Sequence, residues 1–162
     1  MTTLSKNSTT PKTAATAQDA IALLKADHGT VSGLFADYEK TNSSNKKKAL
    51  VAEICSELTV HAQIEEEIFY PAVKKALKDK LLVPEATVEH GSVKDLIAQI
   101  EGVEPDGEDY DAKVKVLSEY VKHHVKEEQN EMFPKVKATS LDLVELGAQM
   151  TARKSELLAA RA

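Results

Sequence analysis

Cysteine occurs once in this 162-residue chain, tryptophan is absent, and there are only three phenylalanines and four tyrosines. A lone Cys55 excludes an intrachain disulfide and points to a reducing compartment, so a cytoplasmic location is expected. No stretch approaches the roughly 18 consecutive apolar residues that a membrane span requires. An excess of positive charge is missing as well. With a formal net charge of −5, the chain has no general attraction for nucleic-acid phosphates. The short run Lys46-Lys47-Lys48 reads as the solvated start of a helix. The opening segment, MTTLSKNSTTPKTAATAQ, lacks the apolar centre of a secretory signal. Rich in Ser, Thr and Lys, residues 1–18 are expected to form a flexible tail.

What the chain does have is a globular balance, 42% hydrophobic and 29% charged residues, dominated by helix formers. Five segments repeat their apolar residues with helical period, and none alternates convincingly with period two, so the fold is expected to be all-α. The first, about 19–39, lines up Ile21, Leu24, His28, Val31 and Phe35. The second, about 46–77, carries Val51, Ile54, Leu58, His61, Glu65 and Ile68 on one stripe. A third opens near Pro84, which suits a first helical turn, and aligns Thr87, His90, Val93, Ile97 and Ile100. After the turn signal EPDG at 104–107, a fourth runs to about Met132 with Val114, Leu117, Val121, His124 and Glu128 in register. Short connections favour antiparallel neighbours, so these four form an up-down bundle over residues 19–136. A fifth helix within 137–162, with Leu143, Leu146, Met150 and Leu157 on one stripe, packs outside the bundle or mediates association.

The chain is written twice. HAQIEEEIFYP at 61–71 aligns with HVKEEQNEMFP at 124–134, placing His61 over His124, Glu65 over Glu128 and Pro71 over Pro134. DHGTVSGL at 27–34 likewise matches EHGSVKDL at 89–96. Each half is a helical hairpin with two histidines, His28 and His61 in the first, His90 and His124 in the second. Because residues i and i+4 share a helix face, each His-x-x-x-Glu step turns both groups toward the apolar interior. Two carboxylates buried there without a cation would cost several kcal/mol or lose their charge. Metal ions resolve the conflict. Six bulky donors converge poorly on one ion, whereas each hairpin can offer two histidines to one metal while Glu65 and Glu128 bridge the pair. Mixed N/O donors with open positions suit non-haem iron better than closed tetrahedral zinc. His123, about 100° around the helix from His124, is read as a surface residue or a neighbour of the ligands, not a ligand itself. Glu57 and Tyr120, one turn before the histidines, are candidates for an additional ligand or a hydrogen-bonding neighbour, Tyr120 equally for a core aromatic. Gly29 and Gly91, each after a histidine in mid-helix, suggest either a close helix approach or space kept beside the metals.

These residues resemble the hemerythrin-like, HHE cation-binding family in its bacterial form. The pattern H…HxxxE…H…HxxxE is met by His28, His61, Glu65, His90, His124 and Glu128, within segments EEEIFYP and EEQNEMFP that are similar to the family's. The resemblance implies a four-helix bundle around two non-haem iron ions, oxygen-bridged, with the four histidines as terminal ligands and both glutamates bridging. Unlike invertebrate oxygen carriers, the chain has Lys94 four residues after His90, and Glu128 where those proteins have an aspartate step. A more symmetric centre with open positions is implied. The expected function is a di-iron protein that binds or reacts with O2, peroxide or NO. Catalase-like peroxide breakdown and iron handling or iron-centre repair are the alternatives. Small ligands are the expected partners, with neither nucleic acid nor membrane among them.

Overall fold

The computed structural model describes residues 18–162; the expected tail over 1–18 lies, apart from Gln18, outside the described residues. The chain is helical, and each long helix starts where a local signal places it. Asp19 caps α1 (Ala20–Lys40), its Oδ1 accepting from the Ala22 N–H at 2.7 Å. Ser43 does the same for α2 (Ser44–Ile64). Two further long helices follow, α4 (Leu82–Ile100) and α5 (Glu108–Glu127). Gly107, with φ of 112°, supplies the backbone reversal that opens α5 after the EPDG turn. The pairs α1/α2 and α4/α5 form the two hairpins of the bundle, and α2 packs against α4.

The second and fourth helices are not uniform, and here the expectation of one continuous stripe fails. After Ile64 the chain forms a π-helical turn, π1 (Glu65–Phe69), before resuming as α3 (Tyr70–Ala76). The same happens after Glu127, with π2 (Glu128–Met132) followed by α6 (Phe133–Lys137). The cause lies in the repeated proline. Pro71 and Pro134 have no N–H for the carbonyl four residues back, and their rings crowd it. The preceding residues instead reach five back: the Tyr70 N–H bonds to the Glu65 carbonyl and the Phe133 N–H to the Glu128 carbonyl. The extra residue in the turn shifts the phase. Phe69, not Ile68, is therefore the fully buried apolar residue of this turn.

The core is split in two by a polar layer. On one side lie Leu24, Ile64, Phe69, Val73, Phe133 and Met150. On the other are Phe35, Ile54, Leu58, Ile97, Val114 and Leu117. His28, His61, His90 and His124 each fall between these two sets along their own helices. The last helix, α7 (Leu143–Arg161), is capped by Asp142 and packs across α1, α2 and π1. Met150 is fully buried in that contact. Gly147 lets α7 touch the start of α1: a Cβ there would sit 2.8 Å from the Ala20 nitrogen and closer still to the Gln18 carbonyl. Arg153 pairs with Glu67 at 2.8 Å, and Lys154 reaches Asp27 at 2.5 Å.

Candidate metal centre

The six predicted donors converge between the two halves of the core. Their atoms form two groups: His28, His61 and Glu128 in one, Glu65, His90 and His124 in the other, with all donor atoms of a group within 4.8 Å of one another. Each group takes its histidines from one hairpin and its glutamate from the other. The ring centroids stand 5.0 Å apart in the first pair of histidines and 4.8 Å in the second. Both carboxylates span the groups. Glu65 Oε1 lies 3.0 Å from His61 Nε2 and 3.3 Å from His90 Nε2. Glu128 places Oε1 3.3 Å from His28 Nε2 and Oε2 3.3 Å from His124 Nε2.

An outer set of side chains holds three of the four rings so that Nε2 faces inward. The Nδ1 of His61 meets Asp27 Oδ2 at 3.0 Å, and that of His124 meets Glu89 Oε1 at 2.9 Å. His28 Nδ1 meets Gln129 Oε1 at 2.8 Å, while His90 Nδ1 lies 3.9 Å from Glu66 Oε1. The arrangement repeats between halves. Asp27 and Glu89 are the acids that precede His28 and His90 in the duplicated segment, and each serves the histidine of the neighbouring helix in its hairpin. Glu66 and Gln129 follow the two glutamates and serve across hairpins. Sequence reading recorded the repeated acids without assigning them a task; their recurrence one residue before each histidine was the available signal.

Tyr70 was missed altogether. Its hydroxyl donates to Glu128 Oε2 at 2.7 Å and lies 3.3 Å from His90 Nε2 and 3.4 Å from His124 Nε2. The residue that reading nominated, Tyr120, is 47% exposed and lines a surface pocket with Glu89, Ser92 and His123. The inward seam there runs Leu117, Val121, His124, which leaves Tyr120 about 100° to the side of Val121. Glu57 is half-buried and belongs to neither donor group. His123, on the surface as expected, pairs with Glu127 at 3.1 Å and Glu89 at 3.3 Å. Gly29 and Gly91 are exposed with open space beside them, so neither a close helix nor the metal layer explains them.

Charge in this layer is tightly balanced. Burial works against the charge on Glu65, yet the facing His61 and His90 hold its carboxyl well below the ordinary 4.5. Burial likewise opposes a proton on His61, but Glu65 and Asp27 push it up to about 10. His124 rises to about 9 against its own burial, through Glu128, Glu65 and Glu89. Asp27, though buried, is kept low by its bonds from His61 and Lys154. Tyr70 is driven well above 10 by burial and by the two glutamates.

The layer also fits a metal by a test independent of charge. His28 Nε2, His61 Nε2, both Glu65 oxygens and Glu128 Oε1 are buried without a hydrogen-bond partner. Buried polar atoms left in this way are costly, and here they all face one another. Imidazole and carboxylate donors of this kind suit divalent and trivalent transition metals.

Comparison with known proteins agrees. The hemerythrin HHE cation binding domain profile matches residues 19–136. A protein of Mycobacterium tuberculosis (strain H37Rv), the uncharacterized Rv2633c, is 29% identical over 143 residues, covering 86% of this chain and 87% of that one. A DNA nickase of Nostoc is 28% identical over 115 residues, 71% of this chain; the chain spans about a third of that protein, 32%. Among solved structures, a hemerythrin HHE cation binding domain-containing protein of Mycobacterium kansasii, an Rv2633c homolog, superposes with a TM-score of 0.75 at 28% identity, covering 88% of both chains.

Proposed function

The chain belongs to the hemerythrin HHE cation-binding family, and from that premise we propose that it holds two non-haem iron ions and binds or reacts with O2, peroxide or NO there. The observation that carries this reading is the pair of donor groups joined by two buried carboxylates, of whose four oxygens three have no hydrogen-bond partner. His28 and His61 would hold one ion, His90 and His124 the other, with Glu65 and Glu128 shared. Iron supplies redox chemistry and open positions for a small ligand. The protein's own contribution is orientation and exclusion of bulk water. Asp27, Glu89 and Gln129 fix three of the rings, and the apolar core flanks the layer at both ends. A surface pocket of about 310 Å³ between α1 and α5 reaches His28 and is wide enough to admit a small diatomic or peroxide ligand.

Two other readings carry less support. Catalase-like turnover would use the same centre and is separated by whether peroxide is consumed far beyond stoichiometric amounts. Iron delivery through the last helix is disfavoured, because the apolar stripe of α7 is already buried on the bundle. Nicking of DNA is not proposed for this chain: the nickase relative is mostly other sequence, and a net charge of −5 repels phosphates.

The deciding experiment is metal analysis of the purified protein with absorption spectra before and after peroxide. Two irons per chain and a near-ultraviolet spectrum that responds to peroxide are expected. The His61→Ala, His124→Ala double variant should lose both irons. Full iron retention by that variant overturns the ligand assignment.

A further inference from the structure

The two halves of the centre are not equivalent, and the difference is one hydroxyl. Tyr70 and Phe133 occupy matching places, each following a π turn and preceding a proline. Phe133 stacks parallel to His28, at 6.2 Å and 4°, and offers no donor. Tyr70 aims its oxygen among His90 Nε2, His124 Nε2 and Glu128 Oε2, at 3.3, 3.4 and 2.7 Å. The two imidazole nitrogens are themselves 3.2 Å apart. Neighbouring donors around one octahedral metal, with bonds near 2.1 Å, stand about 3 Å from each other. The hydroxyl therefore sits where a donor belongs, not merely beside the donors.

The surroundings differ in the same sense. The pocket that touches His124 and Glu128 measures about 10 Å³, too small for more than a water. On the His28 side the pocket measures about 310 Å³ and includes Lys122 and Lys126.

We infer that Tyr70 is a fifth protein donor to the metal held by His90 and His124, leaving the metal held by His28 and His61 as the one that takes the small ligand. The inference rests on the two-iron reading above. As the metal binds, the phenol proton leaves to solvent and the oxygen bonds to the ion; no electron is transferred. The hydroxyl hydrogen now points at Glu128 Oε2, and the positive charge of a ferric ion favours the phenolate in its place.

The test is the visible spectrum of the full chain loaded with ferric iron. A phenolate-to-iron charge-transfer band is expected, with tyrosinate ring modes in resonance Raman excited within it. Tyr70→Phe should lose band and modes while keeping two irons and its helical circular dichroism; Tyr120→Phe should keep everything. Incorporating ring-deuterated tyrosine into the unmodified chain should shift those Raman modes, which answers the question even if the variant folds poorly. Two bound irons without tyrosinate modes, or a band surviving in Tyr70→Phe, overturns the inference and leaves the two-iron reading intact. Failure to bind iron at all overturns both.

Discussion

Each imidazole of the polar layer has one nitrogen facing the centre, and three have the other nitrogen within hydrogen-bonding distance of an outer side chain. Removing such an outer partner leaves the donors in place but frees the ring, and losses of about 10- to 100-fold in metal affinity are typical. Asp27→Asn and Glu89→Gln should each weaken iron binding within that range, measured by competition with a chelator. Lys154→Met should lower folding stability by about 1–3 kcal/mol, since it strips the charged partner from a buried Asp27; a urea melt decides it. Gly29→Ala and Gly91→Ala should act oppositely. Each lies exposed in mid-helix with room for a methyl group, so each is expected to stabilise the fold by about 0.5–1 kcal/mol. The six inward donors were legible in sequence because each sits on an apolar stripe and recurs after a fixed interval. Tyr70 was not. Five residues past Glu65 on an uninterrupted α-helix it would point about 140° away, and nothing in a periodic reading brings it back.

At the scale of the element, the reason is the π turn. Pro71 and its duplicate Pro134 are visible in sequence, but the periodicity places Pro71 inside a continuous helix and Pro134 just past the end of one at about Met132. A proline that removes one hydrogen bond can be accommodated by a kink or by widening the turn, and periodicity alone does not choose between them. The structure widens it. A direct check compares neighbours: Phe69→Ala should cost about 3–5 kcal/mol as a core truncation, and Ile68→Ala distinctly less. Equal costs in a urea melt would contradict the phase of this turn. The bundle was readable because caps and the EPDG turn sit where the periodicity stops. The seat of α7 was not, since its stripe is compatible with any apolar surface. Gly147 and Lys154 set that seat, through contacts 127 residues or more apart in sequence.

For the molecule as a whole, the polar layer links metal loading to pH. His61, pushed up to about 10 from 6.5, stabilises the fold fully below pH 6.5, and that contribution is lost as pH rises through about 10. Glu65, held below 4.5, contributes above pH 4.5 and loses that contribution as pH falls through its lowered value. Coordination needs His61 and His124 without their Nε2 protons, so iron affinity should climb with pH across the range up to about 9–10. About three protons should be released per chain at neutral pH, from His61, His124 and the Tyr70 phenol, read by calorimetry in buffers of different ionisation enthalpy. Access is the other molecular property. Ser32→Trp should fill the pocket beside His28 and slow azide binding without loss of iron, followed by stopped-flow absorption.

The pairing of Tyr70 with Phe133 has a consequence for how such a site can be assembled. Two identical hairpins meeting about a twofold axis must present two tyrosines or two phenylalanines, so both ends of their centre are closed or both are open. Covalent union of the halves removes that constraint. Within one polypeptide each half can drift separately, and a division of labour between the two ends becomes heritable in a way no homodimer permits.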